Sequence, residues 1–279
     1  MENIIPVLKS AVTIIIPIFF AALGGLFPAL AGCLNIALEG LLLIGAFSSL
    51  AVFYFSGSIT AAIVSAIITA TVLSALHVFL TFKLRANLFI CGLAINLFSS
   101  GLCLILSDKL FNTKGVVTAN TGTGLLKWYI IFGLLLTAVS WLVIYKTPFG
   151  YRLRACDKNS ETLVSLGIKP QFYKTTAILI SGVFCGIGGS FLSLNLGAYV
   201  PGMSAGKGWI ALAVIFLGLR KPAGILIAAF VFALAESVSN YAQGFLSIPA
   251  DFILAFPYIC TLIAMIIVSI FPKYRHNFK

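Results

Sequence analysis

The chain has 279 residues, 61% hydrophobic and 9% charged, with a mean hydropathy of +1.12 and a formal net charge of +11. Soluble domains run about 45–50% apolar and about 25% charged. A soluble enzyme, a disordered chain and a nucleic-acid-binding domain are therefore excluded, despite the basic balance.

A membrane-spanning helix needs about 20 apolar residues to cross roughly 30 Å of hydrocarbon. The chain accordingly reads as an all-α, polytopic transmembrane helical bundle of about 8–9 spans joined by loops. In chain order the apolar segments are 11–30, 36–55, 59–82, 88–106, 128–145, 176–196, 209–219, 223–241 and 252–271. The seventh reaches only about 16 Å as a helix, so it is either broken or re-entrant. Lys9, the first apolar run and Ala29-Leu30-Ala31 loosely resemble a signal peptide. Pro28, the scarcity of charge before the run and the immediate start of the next segment favour a retained span.

Lys and Arg collect in cytoplasmic loops. One set of loops carries Lys83, Arg85, Lys146, Arg152, Arg154, Lys158, Lys169, Lys174, Arg220, Lys221, Lys273, Arg275 and Lys279. The other carries only Lys9, Lys109, Lys114, Lys127 and Lys207. The first set is assigned to the cytoplasm, which puts the N-terminus outside and the C-terminus inside. The longest outer loop is 107–126, rich in Thr, Gly and Asn, and the longest inner one is 146–174.

No catalytic constellation, metal cluster or cofactor motif emerges. The six cysteines, Cys33, Cys91, Cys103, Cys156, Cys185 and Cys260, form no CxxC pair and read as packing residues. Residues 202–208 (GMSAGKG) only faintly resemble a phosphate loop. Gly182, Gly186, Gly188, Gly189 and Ser190 give a small-residue face for close helix packing. His77, alone on an apolar helix, reads as a packing histidine.

Polar residues inside spans are expensive: an ionised carboxylate at a helix centre costs about 2.5–3.5 kcal/mol on insertion scales. Such a group has a partner, faces a wet cavity, or is neutral. Asn35 and Glu39 share four-residue spacing at the start of the second segment, and Glu236 and Asn240 repeat it in the eighth. Asn96 and Ser100 make a third pair in the fourth. Each pair can line a pathway or hold helices together, and the sequence leaves both open. In the inner loop, Asn159 or Ser160 can cap a short helix with Glu161 in its first turn. Gly167 suits its left-handed end and Pro170 stops it. Leu163, Val164 and Leu166 would then show an apolar face needing a surface to cover.

These residues resemble a known family. Gly32-Cys-Leu-Asn35 through Glu39-Gly40 to Phe47, Gly150-Tyr-Arg152-Leu-Arg154-Ala155 to Asn159, and Leu166-Gly167-Ile168 look like ABC importer permeases for nucleosides and simple sugars. So do Ser181-Gly182 to Ser190, Gly206-Lys207-Gly208-Trp209, and Gly218 to Gly224 leading to Glu236. Branched-chain amino-acid permeases are more distantly similar. The resemblance implies a single permease domain over 1–279 with the type II importer fold, in the bacterial cytoplasmic (inner) membrane. Its partners would be an ATP-binding cassette ATPase, a second and different permease chain, an extracytoplasmic substrate-binding lipoprotein and membrane lipid. Ser160, Glu161, Leu163, Val164, Leu166 and Gly167 would couple to the ATPase. Asn35, Glu39, Asn96, Glu236 and Asn240 would lie along the substrate pathway. A chain without a nucleotide-binding motif cannot hydrolyse ATP, so a partner would. Nucleosides are the expected substrate, with simple sugars or branched-chain amino acids as alternatives. A secondary transporter using Glu39 and Glu236 as ion sites remains the other class.

Overall fold

A computed structural model describes residues 4–121 and 124–243; the predicted ninth segment, 252–271, and Cys260 lie outside the described residues. The elements in order are α1 (Ile4–Leu30), α2 (Leu38–Ser56), α3 (Ile59–Val78, extended by a π-turn over Phe79–Lys83), α4 (Leu88–Phe111), β1 (Val117–Thr118) and α5 (Leu125–Lys146). There follow α6 (Pro148–Lys158), α7 (Ser160–Ser165), α8 (Pro170–Leu196), β2 (Ala198–Tyr199), α9 (Lys207–Leu217) and α10 (Pro222–Ala242). Among the described residues, seven helices are long and apolar enough to cross a membrane: α1 to α5, α8 and α10.

Both predicted long loops contain more structure than apolar runs reveal. Thr147 accepts the Gly150 N–H at 3.2 Å and Pro148 occupies the first helical position, so the chain re-enters a helix at once as α6. Proline also lets α8 begin at Pro170, well before the predicted 176. On the other side, α4 continues to Phe111 and ends on Asn112 at φ 53. Val117 and Thr118 then pair antiparallel with Tyr199 and Ala198. This two-stranded ribbon and the α6–α7 segment sit at opposite ends of the bundle, because α5, 22 residues or about 33 Å long, joins one to the other.

The seventh apolar segment is resolved as a broken element. Residues 200–206 leave the ribbon as turns, and only then does α9 form, over 11 residues. It ends beside α6, where the Arg220 guanidinium meets Asp157 at 3.2 Å. Turns and short helix together run between the two ends of the bundle, although α9 alone is too short to do so.

Helix α8 is the central post, packed by α1, α2 and α3. Gly182, Gly186 and Gly189 of this helix lie close against the backbone of its neighbours. A Cβ on Gly186 would stand 2.6 Å from Ala66 O and Ile67 Cα of α3, and one on Gly182 would be 3.0 Å from Ala70 O. Gly189 lies against Ala46 and Gly45 of α2 in the same way. The small-residue face is thus a packing face, as expected. Its serines tie the neighbours: Ser193 Oγ lies 2.7 Å from Ser49 Oγ of α2, and Ser190 Oγ lies 2.7 Å from the Tyr129 hydroxyl of α5. The Ser74 hydroxyl of α3 donates to Ile178 O at 2.6 Å. His77 is buried, with Nε2 3.4 Å from Leu88 O.

This close packing gives a direct contrast between two glycines. Gly186→Leu should destabilise the protein by about 1–3 kcal/mol or more through overpacking, read as an earlier thermal transition in detergent. Gly101, with nothing within 4 Å of its Cβ position, should accept Ala without loss.

Candidate functional site

The polar residues singled out in the second segment do not lie on one helical face. Gly32, at φ +70, and an Asx turn at Asn35 interrupt the chain, and α2 begins only at Leu38. Asn35 therefore precedes the helix. Its Oδ1 accepts the Ala37 N–H at 3.0 Å, and its Nδ2 donates to Ser181 Oγ of α8 at 2.6 Å. Asn96, on α4, grips the same start from the other side. Its Oδ1 accepts the Gly40 N–H at 2.8 Å and its Nδ2 donates to Ile36 O at 3.0 Å. The N-cap, Ala37, has no polar side chain, so Asn96 supplies from outside the bond to Gly40 N–H that a Ser or Asp cap would make, and Asn35 satisfies the N–H of the cap residue itself.

Glu39, one residue into α2, does the same for α9. The Gly206 N–H donates to Oε1 at 2.8 Å and the Gly208 N–H donates to Oε2 at 2.7 Å. Both oxygens thus receive orphan donors at the first turn of a helix whose dipole favours negative charge there. Gly206 sits at φ +81 as the N-cap, and a Cβ on Gly208 would collide with the Glu39 backbone. The faint phosphate-loop likeness of 202–208 has this physical basis: the segment does cradle an anion, and the anion is a side chain of the same molecule.

Lys207, assigned from charge to an outer loop, instead opens α9 inside the bundle. Its Nζ lies 3.3 Å from Glu236 Oε1 of α10, with side chains 12% and 19% exposed. Glu236 is about 21 Å along α10 from Pro222. Lys207 gives this interior carboxylate its partner through Oε1, while Oε2 is buried without a hydrogen-bond partner among the described residues. Asn240, one turn beyond, is exposed and stands apart from this network, and Ser100 donates only to Leu97 O of its own helix. Asn35, Glu39, Asn96 and Glu236 thus converge on the starts of α2 and α9. Sequence reasoning missed that Gly206, Lys207, Gly208 and Ser181 are their partners. The Gly-Lys-Gly at an apolar helix start was the available signal.

At the α6–α7 end, the short helix is present with Gly167 at φ +73 closing it. Ile168 N–H reaches Leu163 O and Gly167 N–H reaches Val164 O, both at 2.9 Å, a Schellman ending. Glu161 stands in the first turn as expected, but the Asn159 side chain makes no cap bond. Leu163 is turned inward and buried, leaving Val164 (61% exposed) and Leu166 (70%) as the outward apolar edge. Beside them a groove of about 560 Å³ is lined by Val164, Ile168, Pro170 and Phe172, among others. Ser160 is half-buried. Burial pushes the Cys156 thiol of α6 above its usual range, and Lys174 only partly offsets it.

Glu39→Ala would strand two part-buried N–H donors and should cost about 2–4 kcal/mol. Asn240→Ala should stay within about 0.5 kcal/mol. Thermal unfolding of both variants in one detergent compares them. Alkylation gives a pH test. With its pKa raised, Cys156 holds little thiolate near neutrality, so its maleimide reaction should be slow at pH 7 and still be accelerating above pH 9.

Comparison with known proteins agrees with this architecture. The family model described as "Branched-chain amino acid transport system / permease component" matches residues 7–269. The nucleoside ABC transporter permease protein NupC of Lactococcus lactis is 30% identical, covering 89% of this chain and 87% of its own. The guanosine ABC transporter permease protein NupQ of Bacillus subtilis is also 30% identical, with the same coverage. In fold, the chain resembles one in PsaBC from Streptococcus pneumoniae in complex with Fab, with a TM-score of 0.54 at 14% identity over 96% of this chain and 93% of that one. The extent of these matches and the seven apolar helices identify the chain as a multi-pass membrane protein of the branched-chain-type ABC transporter permease family.

Proposed function

We propose that this permease imports nucleosides by alternating access, driven by ATP hydrolysis on a separate ATPase chain. The observation that carries the coupling half is the outward apolar edge of α7, Val164 and Leu166, beside an open groove at the basic end of the bundle. Such an edge is marginal in water and calls for a covering surface. The names of the two full-length relatives support the substrate half. Simple sugars and branched-chain amino acids are the alternatives within the family.

On this reading the whole chain is one permease domain with the type II importer fold. It makes about 8–9 passes, with α6 and α7 facing the cytoplasm of a bacterium. A second, paralogous permease, the ATPase and an external binding lipoprotein complete the transporter. Asn35, Glu39, Asn96 and Glu236 support the pathway rather than contact substrate, since their polar atoms are largely committed to the starts of α2 and α9. At Glu39 both oxygens are taken by backbone N–H groups, which speaks against its use as an exchangeable ion site.

Single cysteines at Val164 and Leu166 should crosslink to the ATPase in the complete transporter, and guanosine should compete for uptake where ribose and leucine do not. Absence of any crosslink in every nucleotide state would remove the coupling role. Uptake that collapses with an uncoupler while ATP is held constant would overturn the energy source.

A further inference from the structure

Helix α9 is anchored at both ends by charged groups belonging to other elements. Its first turn is held by Glu39 of α2 and, through Lys207, by Glu236 of α10. At its far end the backbone turns through Leu219 and Arg220, at φ 55 and 52. Two successive non-glycine residues in the left-handed region are costly and persist only where the surroundings impose them. The Arg220 N–H closes on Ile215 O at 3.0 Å, and its guanidinium lies 5.6 Å over the Phe216 ring. So placed, Nη1 meets Asp157 Oδ2 at 3.2 Å.

Asp157 stands near the end of α6, three residues before α7 begins. It also abuts the turn that leads into α2. A Cβ on Gly32 would lie 2.6 Å from Asp157 Oδ1 and 3.0 Å from its Cα. One side chain therefore joins the segment that bears α7, the turn that ends α9 and the loop that precedes α2.

We infer that α9 is the rod that carries displacement of α6–α7 to the start of α2 and to Glu236 in the later half of α10, with Asp157–Arg220 as the driving contact. The inference rests on the permease reading above. An 11-residue helix spans about 16 Å and moves as a unit. Displacement of Asp157 shifts Arg220, and the first turn of α9 then moves Glu39 and Glu236 together. The driving pair is about 30% exposed on each side, so it contributes little to folding. Its loss should appear in coupling instead.

The experiment uses the complete transporter, with its ATPase, in proteoliposomes carrying Asp157→Asn or Arg220→Gln. The readouts are guanosine moved per ATP, the nucleotide response of maleimide labelling at Ala205→Cys beside the α9 start, and the Val164→Cys crosslink. Each single variant should lower the transport ratio about 5-fold or more and abolish the response at 205. Crosslink and melting temperature should stay at parental values, and the exchanged pair D157R/R220D should recover at least half of the lost ratio. Parental ratio and response in either single variant, with the crosslink intact, would refute the rod while leaving the permease reading standing. A missing crosslink in the parent would strike that reading instead. If Arg220→Gln melts early, Arg220→Lys, which keeps the charge but shifts the nitrogen, is judged by the same ratio.

Discussion

The Glu39 carboxylate is the constraint on which this architecture turns. A helix that starts inside a bundle exposes N–H groups that no lipid can satisfy. Here α9 does so, and two of those groups end on the two oxygens of one side chain. Glu39 also lies in the first turn of α2, so one negative charge serves the positive ends of two helices. Glycine at 206 and 208 lets the two backbones come close enough for this to work. The arrangement makes α2 and α9 a single mechanical unit although 160-odd residues separate them.

Around that unit, α8 supplies a fixed reference. Its glycines bring α2 and α3 to backbone contact, which strengthens dispersion over many small contacts. Its serines then bond to three different neighbours: Ser181 to Asn35, Ser190 to Tyr129 and Ser193 to Ser49. Hydrogen bonds between helices in lipid are worth about 0.6 kcal/mol each on average, so their role is to fix register more than to supply stability. By contrast α3, α4 and α5 present rows of exposed apolar side chains such as Val72, Leu97 and Leu135, suited to lipid.

A permease of this family must move parts of this bundle without melting it. The contacts divide accordingly. Glycine-to-backbone packing at α8 resists displacement, whereas the pairs at the two ends of α9 can shift as units without stranding a charge. The exposed edge of α7 and the strained turn at Leu219–Arg220 lie at the end where a partner would act.

The sequence alone determined the class of molecule, because 61% apolar residues broken into helix-length runs admit little else. It also located the short helix at 160–167, through a glycine and a proline whose backbone preferences are local. It marked Asn35, Glu39, Asn96 and Glu236, since polar atoms among apolar runs are conspicuous. What each of these side chains bonds to was decided only by the tertiary structure. The donors that hold Glu39 are backbone N–H groups 167 and 169 positions away, and peptide groups leave no trace in residue identity. Lys207 likewise reads as a loop cation until α10 brings Glu236 beside it. Which face of α7 turned inward was settled by packing at Leu163, because six residues are too few for periodicity to fix a face.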